Sequence, residues 1–476
     1  VVNPRKNIMV RGWSIAALLG TAALAGAAVA GCGSQEAQHV SMASATTAGV
    51  STTAADVAKS RKKAVKPASI RQSRVKLRVP TANAAFGSAR TVTVPRGWSA
   101  EVWALVPDAR LEAWTPQHKL LVSSPDNGEI LQLSPGKAPG GAPSRHVLLS
   151  GLQNPQGMAF AKIAGKEYLF VAESDEIDRY RWNGGAPGAR KVIAADLPDG
   201  GSHSLKNVVV SARGTVFFDI GSATNASPPA TTTPPRATVM AVAPNGSDLR
   251  VFARGVRNGD GLSLAPDGTL WVAVNERDDV AYPFHKSYGG SANAYAQVIP
   301  SYVAGHPPDE LARLTAGRNL GWPYCNPDPD VNAGRAGTAL SYANLRFDRD
   351  VQSNADGQAL DCGKLQRIQR GLPAHSAPLG FHFLEGSSLP RRWRDGAVVA
   401  VHGSWDRQPP RAPEVYWLPW RSKARTLGHP VNALGGFQSA SGSRWGRPVD
   451  AVAGPDGALY VSDDQAGAIY RLVPGK

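Results

Sequence analysis

From about residue 91 onward the chain alternates short apolar runs with polar clusters. "KLLVSSPDNGEILQLSP", "EYLFVAESDEIDRYRW", "GTVFFDI", "GTLWVAVNERDD", "GAVVAVHGSWDR" and "GALYVSDDQAGAIYRL" share one form. Each has a glycine-bearing turn, alternating or continuous β-forming residues, and a polar cluster. Two units are close copies: "GLSLAPDGTLWVAVNERDD" (261–279) and "AVAGPDGALYVSDDQAG" (451–467). Their "PDG" reads as a tight turn between strands, with glycine where φ is positive. No sustained 3.6-residue amphipathic pattern interrupts the region. Six such units, roughly 50–65 residues each over about 385, predict an all-β fold: a six-bladed β-propeller with long inserted loops. "TVTVPRGWSAEVWALV", near residue 91, is predicted to lend a strand to the last blade and close the ring. The stretch 280–375 exceeds a plain blade and is expected to hold the largest loops. Loops in such a ring converge on one mouth of its axis, so function is expected there.

Composition agrees with a folded body that carries an unusual front. Of 476 residues, 42% are hydrophobic and 19% charged, and 50 Gly with 37 Pro favour turns and short strands. Arg5, Lys6 and Arg11 precede the apolar "IAALLGTAALAGAAVAG", a targeting pattern too short and too Ala/Gly-rich for a span. It ends in "VAGC", which resembles the lipobox of bacterial lipoproteins. That resemblance implies a signal peptide over 1–31, a lipidated Cys32, and a membrane-anchored, periplasm-facing protein. Gly33 rather than Asp after the cysteine implies the outer membrane of a two-membrane bacterium. An ordinary secretory signal with an incidental cysteine is the alternative. Residues 32–90 are expected to be a disordered basic tether, leaving 91–476 as the propeller. Its "KSRKKAVKPASIRQSRVKLR" (59–78) carries nine Lys/Arg and no acid, so much of the +15 net charge lies outside the blades. Anionic lipid or another envelope polyanion suits that arm, and an exported chain is not expected to meet nucleic acid. With Cys32 lipidated, Cys325 and Cys362 remain as a pair in an oxidising compartment. They flank a Pro/Asp/Asn-rich excursion and are expected to form a disulfide.

Four loop stretches carry candidate chemistry. "DGGSHSLKNVVV" (199–210) places His203 and Lys206 where a loop enters a strand. On its own residues, His203 reads first as a surface histidine in a turn and only second as a base at a mouth. "RGVRNGDGLSLAPDG" (254–268) holds Arg257 and Asn258. "VNERDD" (274–279) is followed by "HPPDELARLTAGRNLGWPYC" (306–325), and "VAVHGSWDR" (399–407) by "WGRPVDAVAGPDG" (445–457).

In order, "GVRN", "VNERDD", "PPDEL", "GWPYC", "APLGFHF", "VAVHGSWDR" and "GRPVDAVAGPDGALYVSDD" resemble the soluble glucose/sorbosone dehydrogenases. These are six-bladed propellers that use pyrroloquinoline quinone (PQQ) and calcium. The resemblance implies that His203 is the catalytic base for sugar oxidation and that Arg257 stabilises charge on the reacting quinone oxygen. Asn258 would contact the cofactor. Arg447, Arg407 and Lys206 would meet its three carboxylates, and Gln156 in "NPQGMAF" would be a cofactor or substrate contact or else a turn residue. Backbone carbonyls of Arg277 and Asp278 would hold a cofactor-linked calcium, with Glu310 and neighbouring Asp309 serving a loop-stabilising ion. Asp199, four residues before His203, is a candidate to orient the imidazole, although the glycines between them leave its direction open. Two positions depart from the pattern: Val449 stands where a second arginine is expected, and His382 or Glu385 where a lysine is expected. The implied activity is a PQQ- and calcium-dependent oxidation of an aldose or sorbosone-like sugar. No CxxCH haem motif is present, so electrons would leave to a separate acceptor. A calcium-using lactonase-type propeller hydrolase and a non-catalytic carbohydrate- or protein-binding propeller remain as alternatives.

Overall fold

The computed structural model describes residues 70–80, 83–138, 140–227, 231–405 and 407–475. The signal segment, Cys32 and most of the basic arm lie outside them. Contacts divide the chain at Pro67/Ala68, and every described residue belongs to the second unit.

That unit is a six-bladed β-propeller, as the repeats predict. The six inner strands are Glu112–Trp114, Met158–Ile163, Val208–Val210, Gly261–Leu264, Pro378–Phe383 and Pro448–Ala453. Each packs against the next, and the sixth packs against the first. The second strands Leu120–Ser124, Val216–Ile220 and Leu270–Val274 are buried at every position. A blade has a neighbour on both faces, which is why these strands read as continuous apolar runs and not as alternation. The inner strands approach so closely that two glycines are obligatory. A Cβ on Gly261 would lie 2.4 Å from the Leu379 carbonyl oxygen, and one on Gly380 would lie 1.9 Å from Asp450 Oδ1.

Ring closure also follows the sequence. Ser99–Leu105 pairs antiparallel with Ala468–Val473, so one blade joins a strand from before the first blade to the last described strand. Part of the segment read as tether is folded. Gln72–Lys76 pairs with Thr91–Pro95, with Val75 opposite Val92. In "QSRVKL" Ser73, Val75 and Leu77 face inward while Gln72, Arg74 and Lys76 face solvent. A two-residue period was thus embedded in what reads as a charge run.

The fourth blade holds the largest insertion. Cys325–Asp328 and Ala343–Arg349 extend it to six strands, and Cys325 and Cys362 are disulfide-bonded. The described α-helices are the four-residue Pro300–Val303 and Arg391–Arg394, and no described helix is long and apolar enough to cross a membrane.

Candidate active site

In an antiparallel blade the chain enters the first strand and leaves the second at the same end. Two sets of loops therefore share one mouth. The loops entering the six inner strands carry Arg110, Gln156, His203, Arg257 with Asn258, His375 and Arg447. The loops leaving the second strands carry Glu173, Ser222 with Asn225, Glu276 to Asp278, His402 and Asp464.

His203 is half-buried at this mouth. Its Nδ1 lies 3.0 Å from the Ser222 carbonyl and 2.9 Å from Ser222 Oγ. The Ser222 hydroxyl donates to the Thr224 carbonyl at 2.8 Å. Both neighbours of Nδ1 are therefore acceptors, so Nδ1 carries the hydrogen and Nε2 holds the lone pair. Burial first, and the Arg257 guanidinium second, push the imidazole down from 6.5 to about 4. Gly221 makes the packing possible: a Cβ there would lie 2.5 Å from His203 Cβ and 3.2 Å from Asn258 Oδ1. Asn258 donates to Asp260 at 3.3 Å, while its buried Oδ1 has no hydrogen-bond partner. Asp199 is exposed, and the imidazole takes its orientation from Ser222 instead.

Arg257 is buried, its side chain only 5% exposed. Nε donates to the Asn225 carbonyl (3.1 Å), Nη1 to the Asn275 carbonyl (2.9 Å) and Nη2 to Asn225 Oδ1 (3.1 Å). Asp278 Oδ2 stands 3.9 Å away, and Asp278 Oδ1 lies 3.0 Å from His375 Nδ1. Asn225 is thus the hub that fixes Arg257, and sequence reading missed it. Its signal was positional: it follows the second strand of a blade, as "NERDD" does.

The opposite wall is rich in arginine. Arg447 donates from Nε to the His402 carbonyl (2.9 Å) and from Nη2 to the Gly403 carbonyl (3.4 Å), which leaves Nη1 without an acceptor among the described residues. Arg444 neighbours it. Arg407 donates from Nε to the Ala304 carbonyl at 2.9 Å and neighbours Arg411. Arg110 binds Asp464 through Nη1 at 2.9 Å, and His402 Nε2 lies 3.0 Å from the other oxygen of that carboxylate. Gln156 is fully buried: Oε1 accepts two hydrogen bonds from Arg110, and Nε2 donates to Asp260 at 3.3 Å. Gln156 therefore braces the axis beneath the mouth.

Several expected roles do not survive. Lys206 is fully buried, and its ammonium donates to the carbonyls of Ser174, Pro198 (3.0 Å) and Ser204 (2.9 Å). Three hydrogens meet three acceptors, so nothing remains for a cofactor carboxylate. Lys206 instead ties down the loop that carries His203. Val449 packs with Leu111 and Leu379 between inner strands, so an arginine there would point into core. His382 and Glu385 lie toward the end of their inner strand remote from the mouth, and neither stands in for the missing lysine.

The expected calcium ligands do not assemble either. The Asp278 carbonyl already accepts from Asn225 Nδ2 (2.9 Å) and Arg277 Nε (3.3 Å), which fills both lone pairs. The Arg277 carbonyl has no such donor among the described residues, while its side chain binds Asp350 at 2.5 Å. Asp309 accepts from the Glu276 amide at 2.8 Å and from the Ala377 amide at 2.9 Å. Glu310 points to the other face of its strand, is fully buried, and has neither carboxylate oxygen hydrogen-bonded. Burial, with Glu276 close by, pushes its carboxyl well above the ordinary range. Among the described residues, His/Cys/Asp/Glu side chains converge on a common point at His306/Asp328/Asp330 and at Glu173/Asp175/Glu176. In the second group Arg190 already pairs with Glu173 and Glu176.

The sequence profile of the TrAA12-like family matches residues 92–474. The chain belongs to this family. An uncharacterized protein of Borreliella burgdorferi is 27% identical over 347 residues, covering 69% of this chain and 77% of that one. The pyrroloquinoline quinone-dependent pyranose dehydrogenase of Coprinopsis cinerea is 31% identical over 121 residues, covering 21% of this chain and only 15% of the dehydrogenase. Among solved structures, the holo PQQ domain of the Coprinopsis cinerea pyranose dehydrogenase superposes with a TM-score of 0.64 at 19% identity, covering 84% of this chain and all of that domain. A calcium structure of the Trichoderma reesei AA12 carbohydrate-active enzyme gives 0.61 at 18% identity, covering 80% and 96%. These structures share the propeller fold with this family member, in line with the resemblance drawn from its loop motifs.

Proposed function

We propose that the protein is a PQQ-dependent dehydrogenase of sugars, with His203 as its base. The observation that carries this reading is a neutral imidazole with a free Nε2 beside a buried arginine, facing a wall of arginines. PQQ is a planar tricarboxylate, and the donor set suits it. Arg447, Arg444, Arg407 and Arg411 supply cationic N–H groups, and the orphaned Asn258 Oδ1 supplies one buried acceptor. Bound there, the quinone would supply an electrophilic carbonyl that takes hydride from a sugar carbon. His203 Nε2 would receive the proton of that carbon's hydroxyl. Its pKa of about 4 keeps it unprotonated at neutral pH, and Ser222 holds the ring still through Nδ1. Arg257 uses three of its five N–H groups on the protein, which leaves two for negative charge developing at the mouth. The expected calcium ligands do not fit a cation as they stand, because the Asp278 carbonyl and the Asp309 carboxylate are already hydrogen-bonded within the protein.

The same reading takes the protein as exported and lipid-anchored through Cys32, passing electrons to a separate acceptor. Support comes from the "VAGC" segment and from the lack of a haem-attachment motif. The test is reconstitution of purified protein with PQQ, with and without added calcium, followed by dye reduction across a panel of aldoses. PQQ binding with sugar-dependent dye reduction is expected. His203→Ala should lower turnover by about 10²–10⁴ while leaving PQQ affinity within a few-fold. No PQQ binding and no turnover with any sugar would overturn the proposal.

A further inference from the structure

The end of the propeller remote from the mouth carries a block of positive charge on the fifth blade. There the inner strand Pro378–Phe383 leads into the loop 384–395, and the third strand Glu414–Arg421 into the loop that begins at Ser422. Both loops lie at the same end of an antiparallel blade. The Trp420 amide donates to the Asp395 carbonyl at 2.9 Å, which sets them side by side. "RRWR" (391–394) forms a short helix that one aromatic residue anchors. Trp393 is buried against Trp98 (ring centroids 4.8 Å apart) and Trp417 (5.2 Å), and its carbonyl accepts from Trp417 Nε1 at 2.7 Å. With Trp393 turned inward, Arg391, Arg392 and Arg394 are all exposed. Arg421, Lys423 and Arg425 are exposed beside them.

The block is short of acid. Arg425 pairs with Asp267 at 2.6 Å, and Arg392 lies over the Trp393 ring at 5.5 Å. Arg391, Arg394, Arg421 and Lys423 have no acidic partner among the described residues. Six cations therefore stand against Glu385 and Asp395, the acids of these two loops. The same sign continues next door. The Arg96 amide donates to the Arg71 carbonyl at 2.8 Å, and Arg96 is two residues from the Trp98 that packs on Trp393. The loops at the mouth of the first three blades instead expose Asp126, Asp196 and Asp199. Like charges held together without partners repel one another, so such a cluster favours an anionic surface outside the fold.

We propose that this end of the fifth blade docks on an anionic lipid surface, with the mouth facing away from it. Two observations choose lipid over an acidic protein. First, none of the exposed large hydrophobic side chains among the described residues lies in these two loops, and a stable protein interface needs an apolar centre that they lack. Headgroups are held by basic residues without apolar insertion, and the attraction grows residue by residue within a Debye length. Second, the cations spread over two loops and the adjoining Arg71 and Arg96, an array that suits a plane of charge. The segment ahead of Arg71 in sequence, "KSRKKAVKPAS" (59–69), has the same sign. The proposal rests on neither the chemistry at the mouth nor lipidation of Cys32.

The test uses the purified full chain with vesicles of phosphatidylcholine alone or with about one-third phosphatidylglycerol, and reads partitioning by co-sedimentation. Cys32→Ser in every sample removes any acyl anchor. Partitioning onto the anionic vesicles should exceed that onto the neutral ones by at least about tenfold at low salt, and the excess should vanish at about 0.5 M NaCl. Arg391→Glu with Arg392→Glu and Arg394→Glu should lower it at least about tenfold with Tm unchanged, since the three side chains are exposed. If that variant fails to fold, Arg421→Glu with Lys423→Glu carries the comparison. Lys62→Glu with Lys63→Glu measures the share of the basic arm, and the blade variants should lose binding beyond it. Equal partitioning of the blade variants and the parent chain would overturn the proposal, as would equal binding to the two kinds of vesicle. Tighter salt-sensitive binding to polyglutamate than to the anionic vesicles would give this face to an acidic protein and overturn it as well.

Discussion

Two influences hold the His203 ring neutral, and only one of them can be cut away. Burial is the larger and Arg257 the next, and together they bring the imidazole from 6.5 to about 4. At pH 7 about one ring in a thousand is then protonated, so the base is fully available. Wild-type kcat/KM, followed by dye reduction from about pH 3.5 to 8, should stay flat above about pH 5 and fall tenfold per pH unit below about 4. Arg257→Met removes the nearby charge and keeps most of the side-chain volume. Burial persists, so the acid limb should move upward yet stop short of 6.5. The plateau should fall by about 10²–10³ through the lost stabilisation of negative charge. Stability gives a second reading. The folded ring resists a proton that the unfolded chain accepts below about 6.5. Stability should therefore fall as pH drops from 6.5 toward 4, by about 3 kcal/mol in total from this group. His203→Gln has no proton to gain, so its loss over that window should be smaller by that amount. A wild-type limb near 6.5 would put the ring in water, and a limb that ignores Arg257→Met would separate the two side chains.

Three further outcomes follow from the same contacts. Lys206→Met strands three carbonyls in a fully buried place and should cost about 3–5 kcal/mol in urea unfolding, whereas a surface lysine would cost almost nothing. Arg447→Leu removes a guanidinium whose Nη1 has no acceptor among the described residues and should raise the PQQ dissociation constant about 10–100-fold by fluorescence titration, with turnover at saturating PQQ little changed. The double substitution Cys325→Ser with Cys362→Ser opens a loop with a sequence separation of 37. It should lower stability by up to about 4 kcal/mol and expose the insertion to the first cut in limited proteolysis.

The blades were legible because each solves the same problem with the same local pattern. Apolar runs of one strand length, ended by "PDG" turns, leave little choice but stacked sheets, and Ser99–Leu105 closed the ring as its apolar pattern suggested. The tether was misread because charge masked a strand: in "QSRVKL" the basic residues occupy every second position and Val75 and Leu77 the others. Lys206 misled for another reason. Three residues from a mouth histidine it resembles a ligand, but the carbonyl of Ser174 comes from the neighbouring blade and claims it. Val449 sits one residue from Asp450 and turns to the opposite, apolar side of its strand.

The sequence alone determined the propeller, its closure, the disulfide pair and the loops that form the mouth. Those features rest on local periodicity, covalent order and cysteine count. Tertiary structure alone decided the chemistry of those loops. The tautomer of His203 depends on Ser222, the setting of Arg257 on Asn225, and the grip on Arg110 on Asp464, which lies 354 residues away. The depressed pKa of His203, the saturated ammonium of Lys206 and the filled carbonyl of Asp278 have a common cause. Desolvation leaves each polar group only the partners that packing supplies, and those partners come from other blades and other turns of the chain.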